Sequence, residues 1–213
     1  MGKITKNAVI LSAVQVASEM RRYLAPDAFV VACDAGYRNA ERLGVRPDLI
    51  VGDFDSAPRP QTTDETIVLP HVKDDTDTHY AARYLLEQGY TRITMLGVLG
   101  GARLEHSLAN IATGLFLAQN GVEVLLADAR SELHYLLPNT PLTLQKGDWQ
   151  YLSLFPLQGT LQGVTLTGVY YPLQNAALTA DYPLGVSNEF VQDTAVLSCT
   201  AGCGLAVLTR ADG

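Results

Sequence analysis

Features that would mark several common protein classes are scarce or missing in this 213-residue sequence. Lysine and arginine total 15 against 22 acidic residues, and no basic cluster offsets the net charge of -7, which argues against a nucleic-acid partner. No apolar run approaches the roughly 20 residues of a membrane span, so no membrane partner is expected. The three cysteines, Cys33, Cys199 and Cys203, are few and odd in number, which predicts reduced thiols in a cytoplasmic protein.

Apolar residues are plentiful, and their pattern changes along the chain. The 47% hydrophobic and 17% charged composition is typical of a globular protein with an ample core. From residue 7 to about 127, continuous apolar runs alternate with helical patterns, which predicts a parallel, doubly wound (Rossmann-like) α/β sheet. Beyond this point short β runs recur between Gly, Pro and Asn, which predicts a sandwich or a barrel. We therefore predict an α/β domain over residues 1–129 and an all-β domain over residues 130–213.

Start and stop signals place the helices. Residues 17–24 form a predicted helix that stops before a proline, and residues 104–119 form another that ends at a glycine. Residues 78–88 form a third, with Asp75 or Thr76 as its N-cap. The strands predicted in the all-β half include residues 151–155, 161–166, 169–173, 186–190 and 194–198.

Two short acidic stretches, residues 51–56 and 73–77, each follow an apolar run that predicts a buried strand. Loops that leave the carboxyl ends of neighbouring parallel strands meet in one crevice, where ligands bind. Carboxylates gathered there would repel one another, and Mg²⁺ accepts carboxylates together with substrate phosphates. Either stretch alone is more typical of caps and turns, but two at strand ends favour a Mg²⁺–nucleotide site. The carboxylates are Asp53, Asp55, Asp74, Asp75 and Asp77.

A glycine-rich turn, residues 97–101, leads into the helix predicted over residues 104–119. Glycines let a backbone approach a phosphate, although this turn matches neither the Rossmann fingerprint nor a Walker loop. A polar stripe at i, i+3, i+4 and i+7 consists of Arg103, His106, Ser107 and Asn110. The apolar face consists of Leu104, Leu108, Ile111 and Leu115. We expect the polar stripe to face a wet pocket, with a solvent-exposed stripe as the alternative.

Three further features gain meaning only from this context. Asp34 ends the second predicted strand, where it would either cap the next helix or join the other acids. Lys73 precedes the second acidic stretch, where its ammonium could meet a phosphate as a point charge. Residues 185–188 (Gly-Val-Ser-Asn) read first as a turn.

Taken together, these residues resemble the thiamine pyrophosphokinase family. The resemblance rests on Pro47-Asp48, residues 52–56 and 73–77, the turn into residues 103–106, Asn110 and Ser187-Asn188. It implies an α/β catalytic domain followed by a thiamine-binding β-sandwich. It also implies transfer of a pyrophosphoryl group from ATP to the thiamine hydroxyl, with Mg²⁺, giving thiamine diphosphate and AMP. The family resemblance further implies a homodimer whose active sites combine the α/β domain of one subunit with the β domain of the other.

The resemblance also implies a role for each matching position. The residues that would hold Mg²⁺ and polyphosphate are Asp53, Asp55, Asp74 and Asp77. One of these would orient or deprotonate the hydroxyl. The first candidates are Asp77 and Asp74, and Asp55 comes after them. The ATP-binding residues would be Lys73, Gly100, Gly101, Arg103, His106 and Asn110. The substrate-binding residues would be Asp34, Ser187 and Asn188.

Three features depart from the family pattern, and two other functions compete with it. Glu105 stands where the family commonly has Asp, Cys33-Asp-Ala-Gly36 stands where it has Ala-Asp-Gly-Gly, and Ala102 puts the spacing between glycine and arginine in question. A phosphatase would use Asp53 and Asp55 as nucleophile and acid, but these acids follow a later strand than such enzymes use. A sensor that binds nucleotide or thiamine without turnover is the non-enzymatic alternative.

Overall fold

The computed structural model describes residues 5–53, 65–68 and 75–211. The chain divides into two compact units, Met1–Ala129 and Arg130–Gly213. The first unit contains a parallel sheet with helices, and the second contains two antiparallel sheets. The fold is therefore an α/β unit followed by an all-β unit.

In the described residues of the first unit, six parallel strands form a sheet. They are β1 (Asn7–Leu11), β2 (Phe29–Cys33), β3 (Leu49–Gly52), β4 (Glu65–Val68), β5 (Arg92–Leu96) and β6 (Glu123–Ala127). Their spatial order is β4-β3-β2-β1-β5-β6. The chain progresses in opposite directions on the two sides of the β1–β5 pair, so the loops that follow these two strands leave the sheet side by side. In open parallel sheets this is the point where ligands bind.

The strands at the centre of this sheet are apolar along their whole length. In β1, Val9, Ile10 and Leu11 are each at most 1% exposed. Such continuous burial is expected where both faces of a parallel sheet are covered. Truncating one of these side chains to alanine would cost about 2–5 kcal/mol of folding free energy. The central strands therefore form a firm base for the loops at their ends.

The described part of this unit also contains three α-helices: α1 (Tyr37–Leu43), α2 (Asp77–Glu87) and α3 (Leu104–Gln119). Thr76 is the N-cap of α2, and its Oγ1 accepts a hydrogen bond from the backbone N–H of His79 at 3.1 Å. The helix predicted over residues 17–24 is present as a 3-10 helix, Ser18–Tyr23, rather than as an α-helix. Met20 is its buried residue, and Ala17 at its start offers no capping side chain. Among the described residues, no helix is both long and apolar enough to span a membrane.

Two antiparallel sheets make up the second unit. Their strands are β7 (Ser131–Leu136), β8 (Leu142–Gln145), β9 (Tyr151–Pro156), β10 (Thr160–Thr167), β11 (Leu173–Thr179), β12 (Asn188–Glu189), β13 (Thr194–Ser198) and β14 (Gly204–Thr209). One sheet has the order β12-β9-β14-β7, and the other has the order β11-β10-β13-β8. Leu154 and Leu208 from the first sheet share one buried cluster with Leu166 and Leu197 from the second. This shared core between two sheets is the arrangement of a β-sandwich.

The predicted strand over residues 169–173 was wrong. Val169 makes only an isolated bridge with Phe190, and the next strand begins at Leu173. Pro172 lacks the N–H that a ladder needs, which favours a turn here. The predicted strand over residues 186–190 is reduced to β12, because Ser187 has a φ of 57° and leaves the extended conformation.

Candidate active site

A cavity of about 460 Å³ lies in the first unit. Pockets of this size accommodate small molecules. Its lining comes from the ends of β2, β3 and β5 and from the starts of α2 and α3, together with the loop after β1. The lining residues are Ser12, Ala13, Val14, Cys33, Asp34, Asp53, Thr76, Asp77, Thr78, Gly97, Val98, Gly100, Gly101, Ala102, Arg103, His106, Ala109 and Asn110. The cavity therefore lies at the carboxyl edge of the sheet, where the sequence predicts a ligand site.

Three acids converge in this cavity. Asp34, Asp53 and Asp77 each contribute a carboxylate oxygen, and these oxygens lie within 4.8 Å of one another. Asp77 is buried, and the other two are half-buried. As the first residue of α2, Asp77 also places its negative charge at the positive end of the helix dipole. Several hard oxygen donors around one point fit a Mg²⁺-type cation, which would relieve their mutual repulsion.

The backbone of β3 makes room for Asp34. Cys33 at the end of β2 pairs with Val51 of β3, so Asp34 follows beside Gly52. Asp34 has a φ of 48°, and a Cβ on Gly52 would lie 2.5 Å from Asp34 Oδ1. Glycine at position 52 therefore lets the Asp34 carboxylate approach the other acids. Asp34 was predicted to bind substrate and was not among the predicted metal ligands, although its place at a strand end was an available signal.

The glycine-rich turn, residues 97–101, is fastened to α3 by two buried polar side chains. Ser107 Oγ accepts a hydrogen bond from the Gly100 N–H at 2.9 Å and lies 3.3 Å from the Gly100 carbonyl oxygen, to which it donates. Asn110 Nδ2 donates to the Val98 carbonyl oxygen at 2.8 Å. Gly100 and Gly101 have φ values of 77° and 79°, which favour glycine. These bonds fix the shape of the turn against the first two turns of the helix.

Three residues of the polar stripe of α3, Arg103, His106 and Asn110, line the cavity. Ser107 and Asn110 are buried, whereas Arg103 and His106 are exposed and line the cavity. The first residues of the predicted apolar face lie at the surface instead, because Leu104 is 70% exposed and Leu108 is 59% exposed. The start of α3 therefore presents polar side chains to the cavity and two leucines to the outside.

Arg103 and Glu105 form an ion pair at the start of α3. Arg103 Nε donates to Glu105 Oε1 at 2.8 Å, and both side chains are well exposed. This hydrogen bond is the main reason that the pKa of Glu105 lies below its ordinary value. An exposed pair of this kind adds little to stability, and its interest lies in the orientation of the guanidinium beside the cavity.

The loop after β1, residues 12–16, contributes lining that the sequence analysis did not identify. Ser12, Ala13 and Val14 all line the cavity. The Ser12 and Thr78 hydroxyl oxygens lie 3.3 Å apart, which links the loop to the first turn of α2. Small and apolar residues give no sequence signal of a ligand site, so only the topology identifies this loop.

In the second unit, Asn188 braces a turn that carries two tyrosines. Its Oδ1 accepts hydrogen bonds from the Tyr171 N–H at 2.9 Å and from the Glu189 N–H at 3.0 Å. Its Nδ2 donates to the Tyr171 carbonyl oxygen at 2.7 Å. Tyr170 and Tyr171 have ring centroids 4.8 Å apart and are each 65% exposed. The neighbouring Ser187 donates its N–H to Ser153 Oγ at 3.0 Å. The Ser187-Asn188 segment thus holds an exposed aromatic pair in place.

The structure brings most of the predicted nucleotide and metal residues of the first unit to one cavity. They are Asp53, Asp77, Gly100, Gly101, Arg103, His106 and Asn110. The predicted residues Asp55, Lys73 and Asp74 lie outside the described residues. Ser187 and Asn188 belong to the second unit.

Two family models match the chain and together cover most of it. The model described as the catalytic domain of thiamin pyrophosphokinase matches residues 20–126. The model described as the vitamin B1 binding domain of thiamin pyrophosphokinase matches residues 139–203. The first match lies within the α/β unit and the second within the all-β unit.

Relatives and solved structures agree with these matches. Thiamine pyrophosphokinase from Bacillus subtilis (strain 168) is 28% identical over 178 residues, which span 81% of this chain and 83% of the relative. The crystal structure of thiamin pyrophosphokinase from Geobacillus thermodenitrificans has a TM-score of 0.85 and 26% identity, over 97% of this chain and 98% of that chain. The crystal structure of thiamine pyrophosphokinase from Bacillus subtilis has a TM-score of 0.88 over 97% of this chain and 100% of that chain. Its 23% identity supports likeness of fold alone.

Proposed function

The chain belongs to the thiamine pyrophosphokinase family, and on this basis we propose that it transfers the pyrophosphoryl group of ATP to the hydroxyl of thiamine. The products are thiamine diphosphate and AMP. One observation carries the proposal: a three-carboxylate cluster and a glycine-rich turn line the same cavity, within the unit that the catalytic-domain model matches. A site that gathers carboxylates and a glycine-rich turn around one cavity suits phosphoryl-type transfer, which depends on positioning and charge neutralisation.

We propose Mg²⁺ as the cofactor, held by Asp34, Asp53 and Asp77, with Asp55 and Asp74 as further ligands. The donor set supports this choice, because it consists of carboxylate oxygens close enough to share one cation. When bound, Mg²⁺ would supply neutralisation of the polyphosphate charge.

Residues of this chain would take the remaining roles. Arg103 and Lys73 would offset charge on the phosphates, and Gly100 and Gly101 would offer the backbone for close approach. His106 lines the same wall and would contact the nucleotide.

Asp77 would orient the thiamine hydroxyl and accept its proton, with Asp74 and Asp55 as the alternatives. A carboxylate within hydrogen-bond reach of a hydroxyl can do both. The buried position of Asp77 beside Asp34 and Asp53 supports its place at the reacting centre.

The all-β unit is the proposed thiamine-binding part of the chain. Residues 139–203, which the vitamin B1 binding model matches, contain both Ser187 and Asn188. The exposed tyrosine pair that Asn188 braces offers aromatic faces, to which a cationic ring is attracted. We therefore assign Ser187 and Asn188 to thiamine recognition, Asn188 by holding this turn as well as by any direct contact.

A homodimer with shared active sites is part of the proposal. The exposed Leu104 and Leu108 next to the cavity support it, because large apolar side chains at a surface are typical of interaction sites. At thiamine concentrations well below the KM of the Asn188→Ala parent, mixing this parent with an Asp77→Asn parent should restore some activity through hybrid dimers. Absence of recovery after proven subunit exchange would contradict shared sites.

Two further expectations, on the arrangement of the first unit and on cellular location, complete the proposal. A Rossmann-like arrangement of the first unit is supported by the reversal of strand order between β1 and β5. A cytoplasmic location is supported by the three cysteines, which are buried and form no disulfide in the described part of the chain.

The deciding experiment is product analysis after incubation of the purified protein with ATP, Mg²⁺ and thiamine. AMP and thiamine diphosphate in equal amounts are expected. ADP with thiamine monophosphate would overturn pyrophosphoryl transfer. Bound ligands without product would favour a sensor, and a phosphoaspartate trapped on Asp53 would favour a phosphatase. The Asp77→Asn variant serves as the inactive control.

A further inference from the structure

Asn39, a residue of α1, is 1% exposed and is not among the described residues that line the cavity. We propose that Asn39 is a positioning residue for nucleotide binding, because its side chain holds the loop of residues 12–16 against the glycine-rich turn. The inference rests on the proposed function in one respect, that a nucleotide is the ligand of this cavity.

The Asn39 carboxamide makes the four hydrogen bonds that such a group can make. Its Nδ2 donates to the carbonyl oxygens of Ser12 at 2.7 Å and Val14 at 2.8 Å. Its Oδ1 accepts from the Val16 N–H at 3.2 Å and from Arg42 Nη1 at 3.2 Å. Three of these bonds go to the backbone of one loop, so a single buried side chain determines the path of that loop.

Only a carboxamide satisfies this arrangement. The Nδ2 group meets two carbonyl oxygens, which accept hydrogen bonds, and Oδ1 meets two N–H donors. An aspartate would place an oxygen against the Ser12 and Val14 carbonyls, and a leucine would leave both of them without this partner. Aspartate therefore loses the two bonds to these carbonyl oxygens, and leucine loses the bond to the Val16 N–H as well, while both nearly preserve the volume of the side chain.

The same loop is attached to the β5–α3 connection from the other side. Ser12 N–H donates to the Leu96 carbonyl oxygen at 2.9 Å, and Val14 N–H donates to the Gly97 carbonyl oxygen at 3.0 Å. A Cβ on Gly97 would lie 2.6 Å from the carbonyl oxygens of both Ser12 and Val14, and 2.9 Å from Asn39 Nδ2. The backbone of the loop is thus in direct contact with that of the turn, and Asn39 donates hydrogen bonds to the same two loop residues, Ser12 and Val14.

This arrangement determines the shape of one wall of the cavity. Ser12 and Val14 line the cavity next to Gly97, and a Cβ on Gly101 would lie 3.1 Å from a Val14 methyl group. If the loop shifts, the turn that would cradle the phosphates loses its neighbour. Asn39 therefore acts on the ligand through the loop, without touching the ligand itself.

The test compares Asn39→Asp and Asn39→Leu with wild type and with Asn7→Leu. Asn7 lies at the opposite end of β1, where its Nδ2 donates to Asp27 Oδ1 at 3.1 Å, so its loss perturbs the same unit away from the cavity. Calorimetry with Mg²⁺ and an unreactive ATP analogue, carrying a methylene between the α- and β-phosphorus atoms, measures nucleotide affinity without turnover. Amide hydrogen exchange of residues 12–16 and 97–101 measures the state of the loop and turn.

We expect both Asn39 variants to bind the analogue about 10-fold more weakly, with faster exchange in the loop and turn, and Asn7→Leu to bind as wild type does. Gly97→Ala should reproduce this loss, and combining it with Asn39→Leu should add little. Lower thermal stability with unchanged analogue affinity would reduce Asn39 to a structural residue and overturn the inference. If wild type itself fails to bind the analogue, the proposed nucleotide site is wrong; unchanged exchange in Asn39→Leu then overturns the loop assignment as well.

Discussion

Asp34 and Gly52 interlock at the ends of neighbouring strands, since a Cβ on Gly52 would lie 2.5 Å from Asp34 Oδ1 and 3.3 Å from Asp34 Cα. The position of the Asp34 carboxylate thus depends on the absence of a side chain at Gly52 in the next strand. Asp53 follows Gly52 directly, so one short segment both admits one acid and supplies another.

Gly52→Ala is expected to displace Asp34 and to weaken the binding of Mg²⁺ about 10-fold, the effect typical of disturbing the support of a metal ligand. The measurement is the rise in melting temperature as Mg²⁺ is added in the absence of nucleotide. Gly89→Ala provides the control, because a Cβ at Gly89 would have no atom within 4 Å, although its φ is 77°. An unchanged Mg²⁺ response in Gly52→Ala would separate Asp34 from the metal site.

Asp77→Asn should lower turnover by about 10²–10⁴-fold, because the amide can neither accept the hydroxyl proton nor hold a cation as a carboxylate does. The fold should remain intact by circular dichroism. Asp148→Asn is a suitable control, since its side chain is 86% exposed and lies 3.9 Å from Arg210. Turnover near that of wild type would remove Asp77 from the reacting centre.

Asn110→Ala should release the Val98 carbonyl and loosen the glycine-rich turn. Leaving a buried acceptor without its partner costs about 1–3 kcal/mol of unfolding free energy, which urea denaturation measures. The KM for ATP should rise as well. Asn120→Ala, at the other end of α3, removes an exposed bond to the Phe116 carbonyl and should change stability by no more than about 0.5 kcal/mol. Equal effects of the two variants would argue against a special role for Asn110.

Asn188→Ala should free the turn that carries Tyr170 and Tyr171. The variant removes the partner of both the N–H and the carbonyl of Tyr171, so we expect the KM for thiamine to rise about 10-fold. The KM for ATP should stay near that of wild type. Asn188→Asp keeps an oxygen that accepts both hydrogen bonds but loses the Nδ2 donor, so its effect should be intermediate. A rise in both KM values would point to general loosening of the all-β unit.

The sequence predicted those parts of the fold that depend on local periodicity. The alternation of apolar runs with helical patterns led to the α/β unit, and the change after residue 128 led to the all-β unit. The sequence pattern was misleading where packing against the rest of the chain decides the local structure. Residues 17–24 carry a helical pattern, but too little of it is buried to hold an α-helix, and Met20 is the buried residue of the 3-10 segment. Residues 169–173 are apolar, yet Pro172 directs them into a turn.

The sequence predicted the site to the extent that it predicted where the strands end. Asp53, Asp77 and the glycine-rich turn could be placed at one edge of the sheet, because parallel strands end on the same side. The place of Asp34 at the same edge followed from its position at a strand end, but its distance from Asp53 depends on the pairing between β2 and β3, which no local pattern specifies. Asn39 gave no signal at all, since an asparagine between an arginine and an alanine in a short helix resembles an ordinary surface residue. Its role depends entirely on the loop packed against it.

The pairing of β1 with β5 has a consequence for the order in which the molecule matures. Lys6 and Thr91, bonded beside this pair, are 85 positions apart in the chain, and Leu11 registers with Leu96. On the ribosome, Asp34, Asp53 and Asp77 emerge before β5 is available, so the acids exist for a time without the opposite wall of the cavity. Loop closure over such a distance is slow. The complete cavity is therefore a late acquisition of the nascent chain.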